Sequence, residues 1–190
     1  MRRLAITFLM IGSALGSIGV ASASAQSTDD TSGDETIGDE TAVDPRADRD
    51  EIDLGLPPVD VLQISGLVDE VVAREIDEAI ARAEEGDSQA LILQINSRAA
   101  VVSRDTMQDL YRRVRDAAVP IAVWVGPSGA RATGTIAQLL SAADATGMAP
   151  GTRIGRTGVP LFDDVDFGEA TDFLRSGTLG FQDARRQGAL

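Results

Sequence analysis

The hydroxyls of Ser97, Ser128, Thr133 and Thr135, the carboxylates of Asp105 and Asp144, and the guanidinium groups of Arg131 and Arg153 are the central side chains that could do chemistry. A hydroxyl attacks a carbonyl only if a base takes its proton. Near pH 7 that base is nearly always His or a desolvated Lys. All seventeen basic residues here are Arg; there is no Lys, His or Cys. Arg stays protonated at any working pH and cannot be the base. Thiol nucleophiles are excluded outright, and the usual ligands of catalytic zinc are missing. Asp105 or Asp144 could serve only with a strongly raised pKa and direct contact to a hydroxyl. The plainer reading of the hydroxyls is hydrogen bonding in turns and caps, and of Asp144 a turn or capping residue. Arg131 and Arg153 could hold a carboxylate or phosphate, or form ordinary ion pairs.

The elements that must position these groups alternate. Val59 to Ile64 follows Pro57-Pro58 and is β-prone. Val68, Val71, Val72, Ile76, Ala79, Ile80 and Ala83 recur at helical spacing, with a C-cap near Gly86. Leu91 to Ile95 is nearly continuous apolar sequence, as expected of a strand covered on both faces. Ser103 can cap a helix that buries Met107, Leu110, Tyr111 and Val114. Ile121 to Val125 is a further buried strand, and Trp124, Tyr111 and Met107 occupy core-periodic places. A helix of small residues is expected over 132–142 and a short strand over 145–148. This order argues for a mostly parallel sheet with crossover helices, and patterning alone allows a Rossmann-like sheet equally. No GxGxxG follows the first strand, and the turn Gly126 to Ala130 does not match a phosphate-binding loop.

The N-terminal third is different material. Arg2 and Arg3, an apolar run from Leu4 to Val20 and the small residues Ala21 to Ala25 predict a signal peptide over 1–25, cut after Ala25. An uncleaved membrane anchor is the other reading. Residues 26–58 read as an acidic, disordered linker, since 27–60 set twelve acids against Arg46 and Arg49, a net of −10 out of −13. No basic face suits nucleic acid. Residues 59–190 suffice for one domain, which must be held by packing because no disulfide can form.

Three segments carry a resemblance. Leu91 to Ser97, Val123 to Ala132, and Ala142-Ala143-Asp144 with Met148-Ala149-Pro150-Gly151-Thr152-Arg153-Ile154-Gly155 are together similar to the NfeD family, membrane-associated relatives of ClpP-class serine proteases. The likeness covers Val59 to Pro160 well and the remainder loosely. It implies an α/β fold of the ClpP/crotonase superfamily, a right-handed spiral of β-β-α units with a mostly parallel sheet, with no cofactor and no metal. It also implies a stomatin-like membrane protein or a peptide segment as partner, and possible homo-oligomers. Members commonly continue into transmembrane helices and a small β-barrel, which this sequence does not contain; a truncated product and a free-standing domain both remain open.

Carried over position by position, the nucleophilic Ser falls on Gly134, in the register set by Gly129. The general-base Lys falls near Arg175, and the Pro-Gly-Gly oxyanion segment on Arg98-Ala99-Ala100. Thr133 and Thr135 flank the empty position. Arg98, Ala99, Ala100, Gly129, Thr133 and Thr135 are therefore the candidate oxyanion or peptide-binding positions. A helix starting near Ala132 would still present free N–H groups there. The expectation is an exported, catalytically degenerate homologue acting as a binding or scaffold module. The alternative is an active membrane-associated serine endopeptidase with a rearranged site.

Overall fold

A computed structural model describes residues 56–190; the expected signal peptide and most of the acidic segment lie outside the described residues. Chain order is β1 (Val59–Val68), α1 (Glu70–Glu85), β2 (Ala90–Ala100), α2 (Arg104–Arg115), β3 (Ile121–Val125) and β4 (Arg131–Thr133). A 3₁₀ turn (Thr135–Gln138), α3 (Leu139–Ala142), β5 (Ala145–Met148) and β6 (Arg153–Gly155) follow. The chain ends with α4 (Thr171–Leu174), β7 (Thr178–Gly180) and α5 (Phe181–Arg186).

The two apolar runs lie side by side, with β2 and β3 parallel and in register from Leu91↔Ile121 to Ile95↔Val125. Leu91, Leu93, Ile95, Ile121, Val123 and Val125 form one buried face with Ile76 and Ile80 of α1 and Leu110 and Tyr111 of α2. Because both helices pack on that face, the opposite one is less covered than the sequence implied. Ile92 and Gln94 are only half-buried, and Trp124, expected in the core, is 38% exposed. Met107 and Tyr111 are buried as expected.

Helix α1 starts after Asp69, whose carboxylate accepts from the N–H groups of Val71 and Val72, both at 3.0 Å. Val68 is therefore the last residue of β1 rather than part of the helix. Val71 is 66% exposed, and Ala73 takes the buried place. Ser103 caps α2 as expected, accepting from Thr106 N–H at 3.0 Å. Pro58 and Pro57 are tied to the domain, their carbonyls accepting from Gln89 N–H at 2.9 Å and Gln89 Nε2 at 2.6 Å.

The sheet forks along β2. β1 runs parallel to it on one side, while on the other β3 pairs with Leu91–Ile95 and β4 takes over at Ser97↔Ala132. From β4 the sheet continues parallel to β6 and antiparallel to β7, and β5 pairs with β3. This curled, mostly parallel sheet is the expected spiral and not a Rossmann-like sheet. Ala170, Leu174, Leu179, Ala184 and Ala189 join the common core, so the C-terminal stretch is part of the domain.

Candidate functional site

The fork brings some of the predicted positions together. Beyond the last residues of β3, the end of β2 faces β4 and the residue after it, Gly134. Cβ built on Gly134 would stand 3.3 Å from Ala99 Cα, 3.7 Å from Arg98 O and 3.9 Å from Ala100 N. Gly134, which the resemblance sets at a nucleophile's place, thus abuts the segment it sets at an oxyanion loop's. That segment is strand, however: Ala99 and Ala100 pair with Leu67 and Val68 of β1.

Gly134 has φ +82° and ψ −164°, a conformation essentially restricted to glycine. Its N–H donates to Gly155 O at 3.1 Å, and its carbonyl accepts from Ala137 N–H at 3.1 Å. The expected helix from Ala132 is replaced by a strand, this glycine, a 3₁₀ turn and the short α3. Small residues with no apolar period could not reveal that break. Exchange of β3 for β4 along β2 imposes it.

Gly134, Thr133, Arg98, Arg131, Arg156 and Thr178 line an open cleft of about 470 Å³. Of the predicted positions, Arg98, Thr133 and Gly134 line it, with Ala99 and Ala100 behind. Gly129, Thr135 and Arg175 do not; the Arg175 guanidinium instead lies 3.5 Å from Asp172, one turn earlier. Arg131, considered above as an anion holder, is in the cleft. Arg156 and Thr178 escaped the sequence reading.

Two of the four hydroxyls are occupied. Thr133 Oγ1 donates to Arg98 O at 2.8 Å, and buried Ser97 donates to Ala99 O at 3.1 Å. Asp144 accepts from Ile121 N–H at 2.9 Å and donates its own N–H to Ile121 O at 2.9 Å, the turn role considered above. No carboxylate lines the cleft among the described residues. The arrangement therefore offers fixed positive charge and two hydroxyls, with no group to take a proton from either.

Two supports stand behind the cleft. Gly155 has φ +137°, and a Cβ there would stand 2.2 Å from Gly177 O, so only glycine lets β6 approach β7 this closely. Buried Gln138 donates from Nε2 to Thr157 O at 2.8 Å and Val159 O at 3.1 Å, and accepts at Oε1 from Leu161 N–H at 2.8 Å. It pins the segment that follows Arg156, and its place among small apolar residues was the signal available for it.

A forked, mostly parallel spiral with its cleft beside the fork is an arrangement of the ClpP/crotonase fold. No family model matches the chain. The membrane-bound protease PH1510 of Pyrococcus horikoshii is 28% identical over 95 residues, half of this chain and 21% of that protein. The chain thus spans about a fifth of that curated relative's length. Among solved structures, a Lys-to-Ala variant of the 1510-N membrane-bound stomatin-specific protease, complexed with a substrate peptide, superposes with TM-score 0.63 and 21% identity. It covers 72% of this chain and 75% of that one. An enoyl-CoA hydratase/isomerase family protein from Silicibacter pomeroyi gives 0.57 at 16% identity, over 70% of each chain. The ClpP catalytic domain of Plasmodium falciparum gives 0.55 at 10%, over 68% of this chain and 82% of that one. These likenesses show that the chain has the ClpP/crotonase fold.

Proposed function

We propose that the domain is a degenerate member of this protease class. In this reading it binds a peptide segment of a partner in the cleft without cutting it, on the outer side of the membrane its signal peptide would cross. The observation that carries the reading is Gly134: a glycine in glycine-only geometry where a Ser would attack, in a cleft without carboxylate, Lys or His. A stomatin-like membrane protein is the partner the relative's name supports, since that relative is called stomatin-specific and membrane-bound. No helix among the described residues is long and apolar enough to cross a membrane.

The rival reading is an active endopeptidase with a rearranged site, and Thr133 and Thr178 are the hydroxyls that would serve it. Fluorophosphonate labelling, with mass spectrometry of a peptide from a stomatin homologue, separates the two. The degenerate reading expects retention of intact peptide and no labelling; cleavage abolished by Thr133→Ala or Thr178→Ala would establish the rival.

A further inference from the structure

The cleft is lined by three arginines from three separate stretches: Arg98 on β2, Arg131 at the start of β4 and Arg156 just after β6. None makes an ion pair among the described residues. Two of them arrive through irregular backbone. β1 and β2 pair as Gly66↔Ser97 and then Leu67↔Ala99, so Arg98 is the extra residue of a bulge, a device that re-aims a side chain. Arg156 sits at φ +50°, a left-handed conformation that a residue with a Cβ adopts only against a steric penalty. Its N–H is held by Gly177 O at 2.8 Å. Three like charges converge on a cleft without a carboxylate, in a chain of net charge −13. An anion placed between them would offset their mutual repulsion.

We infer that this cleft is a carboxylate-binding site that selects acidic peptide segments. The inference rests on the peptide-binding reading above and names its ligand class. Guanidinium groups match carboxylates in a planar, two-pronged way, and Thr133 and Thr178 stand beside them. Asp and Glu side chains spaced along an extended segment would engage successive arginines. Such a segment can come from a partner or from this chain, whose sequence repeats Gly33-Asp34-Glu35-Thr36 as Gly38-Asp39-Glu40-Thr41.

The probe is a labelled peptide of sequence Ser32 to Thr41, with a counterpart carrying Asn and Gln for Asp and Glu, titrated by fluorescence anisotropy against the full chain. A second form of the full chain carries Asp34→Asn, Glu35→Gln, Asp39→Asn and Glu40→Gln. The acidic peptide should bind at least about tenfold more tightly than its neutral counterpart. Arg98→Gln, Arg131→Gln and Arg156→Gln should each weaken it by about tenfold, Arg185→Gln should not, and salt should weaken it throughout. Binding of equal strength to both forms of the chain assigns the site to a partner's acidic segment. Markedly tighter binding to the neutralised form assigns it to the chain's own segment, which competes at high effective concentration. Either result supports the site. No binding to either form, equal binding of the neutral peptide, or full binding by a triple Arg→Gln chain with an unchanged melting curve would overturn it. The last two outcomes would leave general peptide binding standing; failure of the stomatin-homologue peptide to bind would remove that separately.

Discussion

Arg113, between α1 and α2, donates to both oxygens of Glu84 at 2.9 and 2.7 Å and to Asp77 at 3.0 Å. Glu84 also accepts from Ala118 N–H at 2.8 Å. Arg98, Arg131 and Arg156 line the cleft with no such partner among the described residues. At the helix seam the arginine completes a hydrogen-bonded network, on regular backbone. At the cleft, charge is gathered without compensation, on a bulge, a left-handed residue and two glycines held in glycine-only geometry. Exposed arginines are well solvated and need no partner, so the lesson lies in the backbone. A fold that needed these side chains only for solubility would not require irregular backbone to deliver two of them.

The contrast can be broken from either side. The largest effect should come from Gly155→Ala. Contact at 2.2 Å with Gly177 O, added to φ +137°, should lower unfolding free energy by at least about 3 kcal/mol in chemical denaturation. A fully stable variant would mean that the cleft backbone is not constrained as described. Gly134→Ser comes next, at about 2 kcal/mol from its strained φ and ψ. It should gain no fluorophosphonate labelling, alone or with Arg175→Lys, since the Arg175 side chain lies beside Asp172 rather than in the cleft.

On the other side of the comparison, Arg113→Ala should cost about 2 kcal/mol while leaving binding at the cleft unchanged. The effect should depend on pH. Hydrogen bonds from Arg113 and then Ala118 N–H hold the Glu84 carboxyl down, from 4.5 to about 2. A lowered carboxyl stabilises the fold fully above its unfolded value, and that contribution is lost as pH falls through its folded value. Wild type should therefore lose its advantage over Arg113→Ala between pH 4.5 and about 2, measured by denaturation at each pH. The smallest effect has the opposite sign. Arg156→Gly relieves the left-handed conformation and should gain about 0.5–1 kcal/mol while weakening acidic-peptide binding. A variant that lost stability would place Arg156 among the structural arginines.

The legible parts of the sequence were those where side chains repeat against one buried face. The runs at 91–95 and 121–125 gave adjacent parallel strands, and Ser103 gave the start of α2. The phase of α1 slipped at Val68 and Val71 because apolar spacing was weighed above Asp69, whose capping carboxylate sets the first turn. Trp124 was misplaced because an apolar strand residue can face either side, and which side the helices cover is a tertiary fact. Gly134 and Arg98-Ala99-Ala100 came from resemblance, and the fold sets them in contact. Arg156 and Thr178 carried no local signal, since a left-handed Arg and a short antiparallel strand are fixed only by the approach of β6 to β7. Arg175 came from the same resemblance, and its guanidinium lies beside Asp172 rather than in the cleft.

Binding without cleavage is the central claim, and turnover in the intact chain tests it most directly. The full chain, incubated with the stomatin-homologue peptide and sampled over days by mass spectrometry, should leave the peptide whole while anisotropy shows it bound. Fragments that accumulate in proportion to protein, and vanish with Thr133→Ala or Thr178→Ala, would contradict the account.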